Sequence, residues 1–154
     1  MLRAVAVCLT IALVGCATRA DLSYLACETP LPQKIAKTCV VTEDGLWRGA
    51  RPDRVAIAGL VEQGVKTFVN LEFIHDDLNE FEATLVKPGV AQELSYFRVR
   101  DWEPLALIAP SVLDDHVAHF LALVQTQVKP IFVHCSAGQN RTGVMVAAYQ
   151  VFGG

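Results

Sequence analysis

The stretch Pro130–Tyr149, PIFVHCSAGQNRTGVMVAAY, sets a short apolar run against a run of small and aliphatic residues and joins them by a loop holding Cys135, Gly138 and Arg141. IFVH reads as a strand, and the segment from about Arg141 or Thr142 onward reads as a helix. A short loop curling ahead of a helix start aims several backbone N–H groups at one spot, where the helix dipole adds partial positive charge. The same field lowers a thiol pKa, so Cys135 is expected to be largely thiolate at neutral pH. Arg141, separated from Cys135 by five small or uncharged residues, offers a planar fork for two oxygens of a phosphoryl group while the sulfur faces the phosphorus. The Thr142 hydroxyl can stabilise the thiolate when it becomes a leaving group.

Upstream, strand and helix patterns alternate. GLWRGARPD, Gly45–Asp53, reads as a short strand and a turn, with Pro52 and Asp53 opening a helix whose Val55, Ala58 or Gly59, and Val61 or Glu62 lie a turn apart. VKTFVNL is a strand, five of its seven residues being apolar or β-branched. In DDLNEFEATL, Leu78, Phe81 and Leu85 have helical spacing, and Pro88 and Gly89 end the helix. LSYFRVR alternates, with Leu94, Tyr96 and Arg98 on one face and Ser95, Phe97 and Val99 on the other. After a loop from Asp101 to Pro110, Ser111 and Asp114 form a capping-box pattern, and Leu113, Val117, Phe120, Leu121 and Val124 follow on one helical face. Asp114 and Asp115, placed at that helix start, read as structural. The order predicts an α/β domain with a central, mainly parallel sheet flanked by helices.

The opening MLRAVAVCLTIALVGC carries one charge, Arg3, and an apolar run from Ala4 to Val14 that is too short for the roughly 20 residues of a membrane-spanning helix. Residues 1–15 therefore read as a secretory signal. Leu13-Val14-Gly15-Cys16 resembles the bacterial lipobox, which implies that Cys16 becomes the lipidated first residue of the mature chain. An ordinary cleaved signal and an uncleaved anchor are the alternatives. In such lipoproteins Ala17, rather than an aspartate, implies an outer-membrane address facing the periplasm, with membrane lipid as the partner held through Cys16. Residues 16–44, with scattered prolines and no sustained period, read as a tether and lead-in, and 45–154 as the domain. In an oxidising compartment Cys27 and Cys39 either pair or remain two unrelated thiols. Cys135 is left over. Removing Arg3 with the signal leaves twelve Lys and Arg against sixteen Asp and Glu, a net of −4 without a basic run, which argues against nucleic acid as a partner.

His-Cys-Ser-Ala-Gly-Gln-Asn-Arg-Thr-Gly, positions 134–143, resembles the signature loop of cysteine-dependent protein tyrosine and dual-specificity phosphatases. LWRGARP, KTFVNL and YFRVRDWEP fit the order seen in compact members of that family, so the resemblance covers about Gly45 to Phe152. It implies the phosphatase fold and a two-step reaction in which Cys135 attacks the phosphorus and a carboxylic acid protonates the leaving oxygen. It also implies that the amides of Ser136, Ala137, Gly138, Gln139, Asn140 and Arg141, with the Arg141 guanidinium, hold the phosphoryl oxygens. No metal or other cofactor is implied. Asp101 is the preferred acid because the family normally uses aspartate and Asp101 leaves a strand directly. Glu103 lies nearer the family spacing. The implied substrate is a phosphorylated protein or a small phosphate ester, and the absence of lysine inside the loop argues weakly against inositol polyphosphates.

Around the loop, His134 is expected to order it by hydrogen bonding, Arg48 and Arg51 either to approach a phosphate or to hold a turn, and Trp102 to cover the site or pack. His116 and His119 lack a third metal ligand and read as surface residues. Relatives normally continue past the final helix, here Thr142–Val151, whereas this sequence stops at VFGG, which suggests a truncated product. Two alternatives stand: a catalytically inactive domain that binds phosphorylated ligands, and a rhodanese-like sulfur transferase, whose loop also presents a thiolate at a helix start.

Overall fold

The computed structural model describes residues 29–30, 35–85 and 94–152. The signal segment, Cys16, Cys27 and the expected helix stop at Pro88 and Gly89 lie outside them. In chain order the elements are β1 (Thr29–Pro30), β2 (Cys39–Thr42), β3 (Leu46–Ala50), α1 (Arg54–Glu62), β4 (Thr67–Glu72), α2 (Leu78–Leu85), β5 (Ser95–Asp101), α3 (Leu105–Ile108), α4 (Pro110–Thr126), β6 (Ile131–Cys135) and α5 (Asn140–Phe152). They form one sheet in the order β1-β2-β3-β6-β4-β5. β3, β6, β4 and β5 run parallel, and β1, β2 and β3 pair antiparallel at one edge. The α/β architecture with a mainly parallel sheet is the one expected from the sequence.

Alternation along the strands sorts the core onto two faces. Val69, Leu71, Val99, Ile131 and Val133 meet Phe120, Leu123 and Val124 of α4 and Met145, Val146 and Tyr149 of α5. Phe68 and Phe132 meet Ile57, Leu60 and Val61 of α1 and Phe81 of α2 on the other face. There Phe68 sets its ring edge-on to both Phe81, at 5.4 Å, and Phe132, at 6.0 Å. β6 lies between two parallel neighbours and is buried along its whole length, which is why IFVH is a continuous apolar run rather than an alternating one. Its carboxyl end points Cys135 into the crevice where open parallel sheets place their ligands.

Three expectations need correction. The sheet begins before Gly45, because β2 pairs with β3 along Cys39–Arg48 and Val40–Trp47. The buried stripe of α1 is Ile57, Leu60 and Val61, while Val55 is 78% exposed. Asp53 does cap α1, accepting from the Ala56 amide at 2.8 Å. No capping box forms at Ser111: α4 starts at Pro110, whose fixed φ suits a first helical position, with Ala109 as the cap, and the preceding loop contains the turn α3. α5, apolar almost all round in sequence, buries Thr142, Met145, Val146 and Tyr149 and exposes Val144, Val151 and Phe152. Cys39 is disulfide-bonded, and Cys135 is the free cysteine among the described residues. Among the described residues no helix is long and apolar enough to cross a membrane.

Candidate active site

The loop from Cys135 to α5 rests on the end of β3. Ala50 pairs with Cys135 in the ladder, the Arg51 amide donates to the Ser136 carbonyl at 3.3 Å, and the buried Arg48 Nη2 donates to the Gly138 carbonyl at 2.6 Å. Gly138 adopts φ +65°, and a Cβ there would stand 2.5 Å from the Ala50 nitrogen and from the Gly49 carbonyl carbon. Only glycine satisfies both the left-handed backbone and the close approach. Burial alone would push the Cys135 thiol up. The Thr142 side chain and the amides of Thr142, Gln139 and Gly138 outweigh it and hold the thiol below its ordinary value. Among the described residues the buried Thr142 Oγ1 has no other hydrogen-bond partner.

A cavity of about 470 Å³ opens beside the loop, lined by Arg51, Glu72, Phe73, Trp102, Glu103, Ser136 and Arg141 among others. Arg141 Nε donates to Glu103 Oε1 at 2.9 Å. Burial would raise the Glu103 carboxyl, but its own amide and Arg141 together hold it below the usual carboxylate range. Arg51 grips Glu72 through both Nε, at 2.6 Å, and Nη2, which raises its pKa and takes it out of competition for a free anion. Phe73 stacks on Trp102 with ring centroids 5.9 Å apart, and Trp102 stays 41% exposed, so the pair forms an aromatic wall of the cavity.

Asp101 is not part of that lining. It ends β5 opposite Glu72, is 2% exposed, and has Oδ1 3.7 Å from His116 Nδ1. Burial pushes its carboxyl up, against the Trp102 amide and His116. The structure thus brings Cys135, Ser136, Gly138, Arg141, Thr142 and Glu103 together around one loop and leaves Asp101 buried at the end of β5, outside the cavity lining. His116 faces Asp101, and among the described residues no three His, Cys, Asp or Glu side chains are grouped to hold a metal ion.

On the opposite face, behind the nucleophile, His134 is fully buried with Nε2 3.1 Å from Asp77 Oδ2 and its ring stacked on Phe132 at 5.8 Å. Asp77 also accepts from Asn70 Nδ2 and, at 3.3 Å, from the Tyr96 hydroxyl. Asn70, Asp77 and Tyr96 were not singled out from the sequence. The available signal was Asn70, an amide between the apolar Val69 and Leu71 of a buried strand, which needs a partner.

Fold and loop together define a protein of the dual-specificity-like phosphatase class. A family model described as a DSP-PTPase phosphatase fused to NAD+ kinase matches residues 33–153, and the chain belongs to this family. Among solved structures, TpbA of P. aeruginosa is 23% identical with a TM-score of 0.56, covering 80% of this chain and 67% of its own. A DUF442 protein of Shewanella putrefaciens CN-32 is 21% identical with a TM-score of 0.56, covering 84% and 76%. A Cys→Ser variant of TpbA in complex with phosphotyrosine is 22% identical with a TM-score of 0.51, covering 74% and 62%. At these identities the likeness is one of fold. No curated protein matches the chain.

Proposed function

We propose that the protein hydrolyses phosphate monoesters, aryl phosphates such as phosphotyrosine above all, through a cysteinyl-phosphate intermediate. The observation that carries this reading is the buried Cys135 thiol held below its ordinary pKa by inward-facing amides of a loop that Arg141 closes. The Cys135 sulfur attacks the phosphorus, the ester P–O bond breaks, and a carboxylic acid gives its proton to the leaving oxygen. Water then attacks the phosphorus, that carboxylate takes its proton, the S–P bond breaks, and phosphate leaves with the thiolate restored. Amides from Ser136 to Arg141 and the Arg141 guanidinium stabilise the equatorial oxygens.

Glu103 is the acid favoured by its place in the cavity, although aspartate was preferred from the sequence. A bound dianion draws Arg141 into the cradle, and the released Glu103, now beside negative charge, regains a proton. Asp101 is the second reading, favoured by the upward push that burial gives its carboxyl. The Phe73–Trp102 wall supports an aromatic leaving group, and a phosphotyrosine complex is known for the similar TpbA. The lipobox-like Leu13–Cys16 supports a lipid anchor, and Ala17 supports an outer-membrane, periplasm-facing address. Incorporation of radiolabelled palmitate that persists in Cys16→Ser would remove that part of the proposal.

The test is hydrolysis of para-nitrophenyl phosphate and a phosphotyrosine peptide by the chain with Cys135 reduced, with and without chelator, beside Cys135→Ser. Turnover indifferent to chelator and abolished in the variant, with a phosphocysteine signal in the acid-quenched enzyme, is expected. A folded, reduced protein that binds phosphotyrosine without turnover would instead be a phospho-ligand module, and thiosulfate sulfurtransfer would mark a rhodanese-like enzyme.

A further inference from the structure

Arg48 lies outside the signature loop but is bound to it. In the parallel ladder Arg48 stands opposite Val133, and Gly49 and Ala50 stand opposite His134 and Cys135. By strand alternation its side chain shares the sheet face of Leu46, Val133 and Cys135. The residue is 8% exposed, and a buried guanidinium costs several kcal/mol unless an anion or a set of hydrogen bonds offsets it. The ionisable groups on the neighbouring elements are engaged elsewhere: Arg51 after β3 with Glu72 of β4, Arg141 of α5 with Glu103, Asp101 of β5 with His116 of α4, and His134 of β6 with Asp77. Among the described residues no carboxylate lies within ion-pair distance of Arg48. Among the described residues its one hydrogen bond goes from Nη2 to the Gly138 carbonyl, and its Nε has no partner.

We propose that Arg48 is a positioning residue for the anion-binding loop: it holds the Gly138 carbonyl turned away from the cradle and stands as the fixed counter-charge to the Cys135 thiolate. The left-handed Gly138 lets the Gly138–Gln139 peptide turn its oxygen outward, and because C=O and N–H of a trans peptide point opposite ways, the Gln139 amide then faces the sulfur. A carbonyl turned the other way would place negative charge where phosphate oxygens bind. Arg48 fixes the outward orientation from below the loop. Burial pulls its guanidinium down and the charge of Cys135 acts in the opposite sense, so the thiolate supplies the anion that this arginine otherwise lacks.

This inference rests on the reading of Cys135 as a thiolate nucleophile, and its test needs no substrate. Iodoacetamide alkylation of Cys135 is followed by mass spectrometry across pH in the full chain, for wild type, Arg48→Met and Arg48→Gln. Removing the charge is expected to move the alkylation midpoint up by about one pH unit. A midpoint within about 0.3 pH units of wild type in a folded variant overturns the proposal, whatever happens to Tm. If neither variant folds, the wild-type chain decides: the guanidinium ¹⁵N resonances of Arg48 are expected to titrate with the midpoint of Cys135, and resonances that do not move overturn it. A depressed wild-type midpoint without phosphate hydrolysis would sink the phosphatase reading and leave Arg48 standing. Unshifted midpoints with intact turnover would do the reverse.

Discussion

Arg141 Nε lies 2.9 Å from Glu103 Oε1, so the arginine proposed to grip a phosphate is held by the carboxylate proposed to protonate the leaving group. The pair is partly exposed, and such pairs contribute about 0–1 kcal/mol. A bidentate, charge-assisted grip on a phosphoryl group is stronger, so substrate wins the arginine. Glu103→Gln is therefore expected to lower kcat for phenyl phosphate about 100-fold, to affect para-nitrophenyl phosphate less because its leaving group hardly needs a proton, and to abolish the alkaline limb of the rate profile. Asp101→Asn should keep that limb. The reverse pattern in the two variants would make Asp101 the acid.

Gly138→Ala tests the seat of the loop. An L-residue at φ +65° costs roughly 1–2 kcal/mol, and the added methyl would also meet the Ala50 nitrogen at 2.5 Å. The expected result is a lower Tm together with at least a tenfold weaker affinity for vanadate, an oxyanion of phosphoryl shape. A folded variant with wild-type vanadate affinity would show that the loop does not depend on this contact.

Part of this site was legible because it is contiguous. Strand, cysteine, five-residue loop, arginine and helix follow one another, and their local geometry follows from residue type and spacing. The pairs that tune the site are not contiguous: Arg48 and Gly138 lie 90 residues apart and Glu103 and Arg141 lie 38 apart, so only the sheet order brings them together. The choice between Asp101 and Glu103 was hidden for a related reason. Asp101 at a buried strand end and Glu103 in the cavity wall are separated by Trp102 alone, and strand ends are the least legible boundaries in a sequence. β1 and β2 fall in the stretch that reads as a tether because they are two and four residues long, too short for alternation to register.

Trp102 should set selectivity rather than rate. Its ring stacks on Phe73 and faces the cavity, but it carries no group that exchanges a proton. Trp102→Ala is expected to raise KM for a phosphotyrosine peptide about tenfold, corresponding to the roughly 0.5–1.5 kcal/mol of an aromatic pair, while leaving KM for a phosphoserine peptide nearly unchanged. Equal losses on both substrates would mean that Trp102 only shapes the loop.

The buried pair of His134 and Asp77 gives the protein a pH signature separable from catalysis. Burial would raise the Asp77 carboxyl, yet the contact with His134 and the Tyr96 hydroxyl hold it below the ordinary 3.8. A depressed folded-state pKa contributes stability that is present above the unfolded value of about 3.9 and is lost as pH falls through the folded value. Asp101, raised by burial, works in the opposite sense, contributing below the unfolded value and losing that contribution as pH rises through its folded one. The wild-type slope alone therefore mixes the two, and the informative comparison is with Asp77→Asn, which keeps shape and removes charge. Urea unfolding at pH 7 should find the variant less stable, by up to about 3 kcal/mol because His134 loses its buried partner. As pH falls below about 3.9, wild type should lose stability faster than the variant and the two curves should converge. Curves that stay parallel through acid would mean that Asp77 and His134 carry no charge interaction, and that His134 orders the loop by packing against Phe132 alone.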